Sequence, residues 1–297
     1  MTTLSGGYLT IVLAQANKEA MDHAVEFITE SLNVQKLTTL SPNKAVDVKI
    51  DAHIVNTLQS DLNAAMREMG IKADICVSSD TSRKKTLLIC DMDSTLIGQE
   101  CIDELADFAG MKEHVSEITE RAMRGEIEFD DALKERVSLL KGLNLSVLEQ
   151  CFNERIKLNT GAKTLCKTMK AHGAKTVIVS GGFTFFTNKV ASLCGFDTHQ
   201  ANTLLSKDEL LTGEVGMPIL GREAKKQALL HFSHNTPEAA IAIGDGANDL
   251  AMITASGLGV AYYAKPKVAA ASDCAINHTD LTTALYFQGY KEIEFIK

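Results

Sequence analysis

Two carboxylates stand directly behind a short apolar run. Residues 86–90 (TLLIC) read as a buried strand, and Asp91-Met92-Asp93-Ser94-Thr95 follows them. Side chains two residues apart on an extended chain project to the same side, so Asp91 and Asp93 are predicted to face one site. A D-x-D pair alone is weak evidence, because helix caps and calcium loops also use it. Its meaning therefore depends on the groups that the fold brings beside it.

Further reactive groups follow other apolar runs of the same kind. Ser180-Gly181-Gly182 comes after residues 175–179, and GDGAND, with Asp245, Asn248 and Asp249, comes after residues 239–243. The pair Lys225-Lys226 lies between these two segments, and a fourth apolar run covers 258–262. Strands that are apolar throughout are typical of a parallel sheet covered by helices, where ligands collect at the carboxyl ends of the strands. We therefore expect all of these groups at one edge of one sheet.

Together these groups have the chemistry of a phosphoryl-transfer site. Asp91, Asp93 and Asp245 would repel one another unless a hard divalent cation lay among them, and ligation by oxygen alone suits Mg²⁺. The cation, a lysine ammonium, a serine hydroxyl and glycine N–H groups can together bind a phosphoryl group. One carboxylate can attack phosphorus to form an aspartyl-phosphate, while the other protonates the leaving oxygen and later deprotonates water. Spacing alone leaves Lys225 and Lys226 as alternatives for the ammonium.

The elements that must position these residues fall into two parts. Residues 8–79 alternate between strand and helix periodicity in the order β-α-β-β-α-β, with helices over 18–32 and 54–69, which is typical of a small ferredoxin-like unit. A polar linker, 78–85, leads into the buried strands. The stretch from Glu100 to about Arg155 reads as several helices inserted over the mouth of the site. Residues 202–221 have the pattern of a hairpin excursion.

Composition excludes several classes of function. The chain has 297 residues, of which 45% are apolar and 23% charged, and its formal net charge is −8. An acidic chain with no long basic run is a poor ligand for nucleic-acid phosphates. No apolar run approaches the length of about 18 residues that a membrane helix needs, and the N-terminal residues lack the basic region of a signal peptide. We therefore expect a soluble, cytoplasmic protein that binds neither nucleic acid nor membrane.

Cysteine and histidine patterns give no second site. The seven cysteines are an odd number without a C-x-x-C pair, which favours reduced, mostly buried thiols over disulfides or zinc. Cys90 adjoins Asp91 but points the opposite way along the strand, so we interpret it as a packing residue. His231 and His234 lie in a polar stretch beyond a predicted helix, and we interpret them as exposed.

The motif series carries a family resemblance. DMDST, SGG, a lysine and GDGAND are similar to the motifs of the haloacid dehalogenase superfamily of phosphohydrolases, and most closely to its phosphoserine phosphatases. The closer match rests on longer strings, such as LLICDMDSTLIGQECIDELA and IGDGANDLAMI, and spans 86 to about 285. It implies an α/β fold: a Rossmann-like core with a doubly wound parallel sheet in 81–297, a helical cap at about 97–157, and a preceding α+β unit, 1–80, that resembles ACT regulatory modules.

The resemblance also implies roles for individual residues. It implies Asp91 as nucleophile, Asp93 as general acid/base, Mg²⁺ held by Asp91, Asp245 and the backbone carbonyl of Asp93, and Asp249 as support for the metal shell. Ser180, Gly181 and Lys225 would hold the phosphate, and Asn248 would contact the substrate. In the cap, Glu100 and Arg136 match positions for the ammonium and carboxylate of phosphoserine, with Met123 and Phe129 as apolar walls.

The activity implied is Mg²⁺-dependent hydrolysis of L-phosphoserine, the last step of L-serine biosynthesis. A phosphotransferase, a phosphatase for another small monoester, and a non-catalytic sensor on a degenerate core are the alternatives. The intact pair Asp91 and Asp93 argues against the sensor. The N-terminal unit is a candidate for amino-acid sensing or homodimerisation. It departs from the usual ACT pattern because its first turn, Gln15-Ala16-Asn17, has no glycine, so a purely structural role stays open.

Overall fold

The N-terminal unit is a four-stranded antiparallel sheet with two helices. The computed structural model describes residues 7–50, 55–79, 82–123 and 126–297. The elements are β1 (Gly7–Leu13), α1 (Lys18–Ser31), β2 (Val34–Ser41), β3 (Ala45–Ile50), α2 (Val55–Glu68) and β4 (Ala73–Ser79). The strand order is β2-β3-β1-β4, and the predicted β-α-β-β-α-β order is observed. The predicted start of the second helix at Ile54, and the proposed boundary between 80 and 81, lie outside the described residues.

The core is a six-stranded parallel sheet. Its strands are β5 (Leu87–Cys90), β6 (Lys175–Phe183), β7 (Thr198–Asn202), β10 (Ala240–Gly244), β11 (Leu258–Tyr262) and β12 (Cys274–Ile276), in the order β12-β11-β10-β5-β6-β7. The four apolar runs of the sequence became the four central strands, and the polar β7 and the short β12 were not predicted. Because β10 and β6 flank β5 on opposite sides, the carboxyl end of β5 is a topological switch point.

Helices cover both faces of this sheet, as uniformly apolar strands require. They are α7 (Ala162–Ala171), α8 (Thr184–Cys194), α9 (Arg222–Phe232), α10 (Leu250–Ile253), α11 (Pro266–Ala271) and α12 (Thr283–Phe287). Along β5, Leu88 and Cys90 pack into the larger hydrophobic cluster, whereas Leu87 and Ile89 pack on the opposite side with the α9 residue Leu229. Cys90 is therefore a fully buried packing residue, as expected.

The predicted helical insertion and hairpin are both present. The insertion consists of α3 (Cys101–Phe108), α4 (Lys112–Met123), α5 (Phe129–Ser138) and α6 (Ser146–Arg155). The hairpin is β8 (Leu204–Lys207) and β9 (Leu210–Val215). Its tip bonds to the turn between α5 and α6, because Gly142 N–H donates to Leu211 O and Leu211 N–H donates to Leu143 O, both at 2.8 Å. The hairpin therefore joins the cap to the core.

Buried polar contacts fix the N-terminal unit to the core. The Asp74 carboxylate, on β4, accepts hydrogen bonds from the backbone N–H groups of Asn277, His278 and Thr279 at 2.8–3.2 Å, and from the Thr279 hydroxyl. The Arg83 guanidinium pairs with Asp47 and donates to Phe287 O at 3.1 Å. One face of the N-terminal sheet packs on α1 and α2, and residues of its other face, such as Val12 and Cys76, pack into the hydrophobic cluster of the core.

All seven cysteines are free and buried. Burial raises the pKa of Cys151 and of Cys166 to about 12, and of Cys194 to about 11. This agrees with the expectation of reduced, mostly buried thiols. Among the described helices, none has the length and apolar character needed to cross a membrane.

Candidate active site

The loop after β5 carries both predicted reactive carboxylates. Asp91 is 5% exposed; its Oδ1 accepts the N–H of Met92 at 2.7 Å, and its Oδ2 lies 2.8 Å from Lys225 Nζ. Asp93 Oδ1 accepts the N–H of Cys101, the first residue of α3, at 3.0 Å. The start of the cap is therefore hydrogen-bonded to the second carboxylate, which leaves Asp93 between the core and the cap.

Lys225, and not its neighbour, lies in the site. Its Nζ is 2.6 Å from Asp249 Oδ1 and 2.8 Å from Asp91 Oδ2, and the residue is 1% exposed. Burial alone would lower the pKa of Lys225, but Asp249 and Asp91 raise it above its ordinary value, so the ammonium stays charged. Lys226 is half-buried and is not bonded to either carboxylate. The structure thus separates two residues that spacing left as alternatives.

Three carboxylates converge beside this ammonium. One oxygen from each of Asp91, Asp245 and Asp249 lies within 4.8 Å of the others. Burial, together with repulsion from Asp249, raises the pKa of Asp91 well above its usual range and that of Asp245 to about 6. Asp249 Oδ2 also accepts the N–H groups of Asp245 and Gly246, at 3.2 and 3.0 Å. An all-oxygen cluster whose members repel one another is a donor set that fits a hard divalent cation.

The segment after the apolar part of β6 lies against Asp93. Ser180, 1% exposed, places its Oγ 3.4 Å from Asp93 Oδ2 and accepts the N–H of Gly182 at 2.9 Å. A Cβ on Gly182 would collide with Asp93 Oδ2, so this position requires glycine for steric reasons. The SGG motif therefore allows the second carboxylate to approach the backbone closely.

The cap contributes an acid and a base to the same cleft. Glu100, just before α3, accepts a hydrogen bond from the Ser94 hydroxyl at 2.7 Å. Although part of Glu100 remains accessible from the cleft, desolvation and the charge of Asp93 raise its pKa to about 7. Arg136, on α5, is half-buried and donates to Ala132 O at 3.3 Å. Burial lowers the pKa of Arg136 and the charges of Asp103 and Glu100 oppose this change, so acidic and basic groups lie near one another on this wall.

These groups line one cleft of about 790 Å³ between the core and the cap. It contains the predicted residues Asp91, Asp93, Glu100, Phe129, Arg136, Ser180, Gly181, Asp245 and Asn248. The Phe129 ring packs against Gly181, since a Cβ there would meet its Cζ at 3.3 Å. Met123 is the last residue of α4, and its side chain lies outside the described part of the structure. His231 and His234 are exposed and do not line the cleft.

Sequence reasoning missed several residues of the site. Thr95 is fully buried and donates from Oγ1 to Asp245 Oδ1 at 3.2 Å. Asp103 faces the cleft near Arg136, and Lys265 and Lys267 line its far side. The position of Thr95 in the DMDST loop was an available signal. Lys265 and Lys267 follow the apolar run 258–262, so their position just after a buried strand was also an available signal.

Comparison with known proteins identifies relatives. Residues 88–254 match the family model of haloacid dehalogenase-like hydrolases, and 224–286 match a second such model. The phosphoserine phosphatase of Saccharomyces cerevisiae is 35% identical over 290 residues, 93% of each chain. The structure of a probable phosphoserine phosphatase from Vibrio cholerae has 30% identity and a TM-score of 0.78, and covers 99% of this chain and 90% of that one.

A further solved structure is similar to about two thirds of the chain. It is described as a phospho-aspartyl intermediate analogue of phosphoserine phosphatase, with 39% identity and a TM-score of 0.63. The alignment covers 68% of this chain and 98% of that chain.

Proposed function

This chain belongs to the haloacid dehalogenase-like hydrolase family, and we infer that it is a phosphoserine phosphatase that hydrolyses O-phospho-L-serine to L-serine and phosphate. The observation that carries this conclusion is the geometry at the switch point. Lys225 is held between Asp91 and Asp249, and Asp91 lines a cleft whose cap wall bears Glu100 and Arg136. The core of the site suits a phosphoryl group, and the cap wall suits a small zwitterion.

Asp91 is the nucleophile of the proposed mechanism. It attacks phosphorus, the bond from phosphorus to the serine oxygen breaks, and an aspartyl-phosphate forms on Asp91. The lysine ammonium beside Asp91 opposes the rise in its pKa and favours the carboxylate, which is the attacking form. The related structure described as a phospho-aspartyl intermediate analogue supports an intermediate of this kind.

Asp93 is the proposed general acid and base. Burial raises the pKa of Asp93, so this carboxyl can hold the proton that the departing serine oxygen needs. Once serine has left, the resulting carboxylate can take a proton from the water that attacks the aspartyl-phosphate. Hydrogen bonds from Cys101 N–H and the Ser180 hydroxyl hold Asp93 in place and limit how far its pKa rises.

Asp91, Asp245 and the backbone carbonyl of Asp93 are proposed to hold Mg²⁺. The cation would neutralise the acidic cluster and polarise the phosphoryl group. Asp249 is proposed to support this shell, because its carboxylate oxygens already accept hydrogen bonds from Lys225 Nζ and from the N–H groups of Asp245 and Gly246. Thr95 orients Asp245 in the same way, through the hydrogen bond to Oδ1.

Phosphate and substrate are proposed to contact separate sets of residues. Ser180, Gly181 and Lys225 bind the phosphate, and Asn248 contacts the substrate. Glu100 pairs with the ammonium of phosphoserine and Arg136 with its carboxylate, against the Phe129 ring and Met123. The opposite charges of the two cap residues match the opposite charges of the serine portion.

The N-terminal unit is proposed to be an ACT-like α+β domain that spans 1–80, ahead of a phosphatase domain at 81–297 with its cap at about 97–157. Because the core covers one face of its sheet, a homodimer through this unit would use the helical face or the edge strand β2. Light scattering of the full chain measures its mass in solution and so tests whether the homodimer forms. We also propose a cytoplasmic location and a place at the end of L-serine biosynthesis.

Release of phosphate is the direct test of function. Purified protein is given phosphoserine, phosphothreonine, phosphoethanolamine and an aryl phosphate, with Mg²⁺ and with a chelator. We expect phosphoserine to have the highest kcat/KM and the chelator to abolish turnover. A preference for another monoester, or transfer to an added alcohol in excess of hydrolysis, would favour a different phosphatase or a phosphotransferase. An absence of turnover would favour a sensor.

A further inference from the structure

The peptide group between Gly181 and Gly182 is held at both ends. Its carbonyl oxygen, on Gly181, accepts a hydrogen bond from Asn202 Nδ2 at 2.8 Å. Its N–H, on Gly182, donates to Ser180 Oγ at 2.9 Å. The Asn202 side chain therefore fixes the plane of this peptide from outside the cleft, and the Ser180 side chain fixes it from inside.

The two contacts belong to a longer chain of hydrogen bonds. Since Ser180 Oγ accepts from Gly182, its own O–H is free to donate to Asp93 Oδ2, 3.4 Å away. The sequence of donors runs from the Asn202 amide, through the Gly181–Gly182 peptide and the Ser180 hydroxyl, to Asp93. Each bond in such a chain polarises the next, so the arrangement is more rigid than its separate parts.

Asn202 is itself firmly placed. It is the last residue of β7, pairs with Phe183 in the sheet and is 2% exposed. Its Oδ1 accepts the N–H of Leu220 at 2.7 Å, and its Nδ2 also reaches Leu220 O at 3.3 Å. Only this orientation of the amide pairs a donor with each carbonyl and an acceptor with the N–H. Asn202 thus has no contact with the cleft, yet it holds a residue that lines the cleft.

We propose that Asn202 is a positioning residue for the phosphate-binding segment Ser180–Gly182: its amide fixes the Gly181–Gly182 peptide, and through it the Ser180 hydroxyl against Asp93. The proposal rests on the proposed function, because it deepens the role of that segment. A buried asparagine at the end of a polar strand offered no sequence signal, since its partners lie about 20 residues away on either side.

The test compares Asn202→Asp with a matched control. Asn202→Asp keeps the acceptor for Leu220 N–H but loses the donor to Gly181 O. The control is Gln288→Glu, in a residue that is 1% exposed, accepts Lys85 N–H at 3.0 Å and donates to Ala284 O at 2.9 Å. Both changes replace a buried amide with a carboxyl and remove the same kind of donor, but Gln288 does not line the cleft.

Two quantities are measured besides turnover: KM, and the inhibition constant of inorganic phosphate. We expect Asn202→Asp to lower kcat/KM by about tenfold or more, equally for phosphoserine and an aryl phosphate, and to raise the inhibition constant of phosphate by a similar factor. Gln288→Glu should leave kcat/KM and the inhibition constant of phosphate within about twofold of their wild-type values. Urea unfolding of both variants, with equal losses of stability, shows that folding alone does not explain the difference.

The proposal has clear failing outcomes. If Asn202→Asp lowers only kcat, with KM and phosphate inhibition unchanged, the loss reflects a smaller active fraction and the positioning role is wrong. If Gln288→Glu produces the same kinetic change, the loss of any buried amide donor has this effect, and Asn202 has no specific positioning role. A wild-type protein that hydrolyses the aryl phosphate but not phosphoserine would refute the proposed substrate, while the Asn202 comparison on the aryl phosphate would still decide the positioning role.

Discussion

Lys225 Nζ lies 2.8 Å from Asp91 Oδ2, with both side chains buried. The pair places a positive charge beside the carboxylate that is proposed to attack phosphorus. The same ammonium also contacts Asp249, so it joins the proposed nucleophile to the proposed metal shell. Removing this single charge should therefore affect both catalysis and stability.

Lys225→Ala and Lys226→Ala form a pair of adjacent substitutions with opposite expected results. Loss of Lys225 leaves two buried carboxylates unpaired, which should lower the free energy of unfolding by about 3–5 kcal/mol in the metal-free protein and abolish most turnover. Lys226→Ala should leave both the free energy of unfolding and turnover near their wild-type values. Urea midpoints and kcat/KM measure the two effects, and near-normal turnover of Lys225→Ala would overturn the assignment.

Covalent labelling separates the roles of the two loop carboxylates. Acid quenching during turnover should trap a hydroxylamine-sensitive phosphate on the wild-type protein, and Asp91→Asn should abolish both the label and the activity. Asp93→Asn removes the proton carrier, so turnover should fall by about 10²- to 10⁴-fold, the usual contribution of general acid–base catalysis. Label found on serine or histidine would contradict the mechanism.

The pH dependence of substrate binding should report Glu100. Its pKa of about 7 means that it is largely protonated below that pH in the free protein, and only the carboxylate pairs with an ammonium. We therefore expect kcat/KM for phosphoserine to rise with pH as Glu100 ionises, at a pH no higher than about 7, because a cation bound by the neighbouring carboxylates would offset their charge. Glu100→Gln should remove this rise. The kcat/KM for an aryl phosphate, which has no ammonium group, should not show the rise even in the wild-type protein.

The same group has a defined effect on stability. A carboxyl whose folded pKa is raised binds more protons in the folded state than in the unfolded state, so its contribution to stability falls as pH increases from about 4.5 to about 7. In the metal-free protein, Glu100→Gln should therefore become more stabilising relative to the wild type across that interval. A difference that is constant with pH would show that Glu100 has an ordinary pKa.

Substrate analogues distinguish the two cap charges. Arg136→Leu should raise KM for phosphoserine by at least about tenfold and leave phosphoethanolamine, which lacks the carboxylate, nearly unchanged. Glu100→Gln is the matched variant. It should weaken the binding of phosphoserine and of phosphoethanolamine, which both carry an ammonium group, and leave the binding of an aryl phosphate unchanged. Initial rates over the three substrates measure this pattern. Equal losses on all three substrates in either variant would show that the residue supports the fold of the cap instead.

The attachment of the N-terminal unit can be tested at Asp74. Its carboxylate accepts hydrogen bonds from four donor groups in the segment after β12, and Asp74→Ala leaves those donors unsatisfied in a buried interface. We expect a loss of about 3 kcal/mol in the free energy of unfolding, measured by urea denaturation. Asp22→Ala, which removes an exposed ion pair with Lys18, is the control and should leave the free energy of unfolding nearly unchanged. A small effect at Asp74 would indicate a loosely docked unit.

How far the sequence predicted the structure depends on where the partners of each residue lie. Asp91, Ser180 and Asp245 were found because each directly follows an apolar strand, and parallel strands align their carboxyl ends. Asn202 and Asp74 act through hydrogen bonds to residues that are close only after folding, so no local pattern marks them. The strands β7 and β12 were missed for a related reason: one is polar, and the other has only three residues.

The seven buried cysteines make the protein a convenient subject for spectroscopy. Each native thiol is shielded, and burial raises the pKa of most of them, so little thiolate is available for alkylation at neutral pH. A cysteine introduced on the exposed face of α5, for example Lys134→Cys, and a second on an exposed core helix would be the only readily labelled positions. Fluorophores at such a pair would report the distance between cap and core during turnover without any deletion of native cysteines.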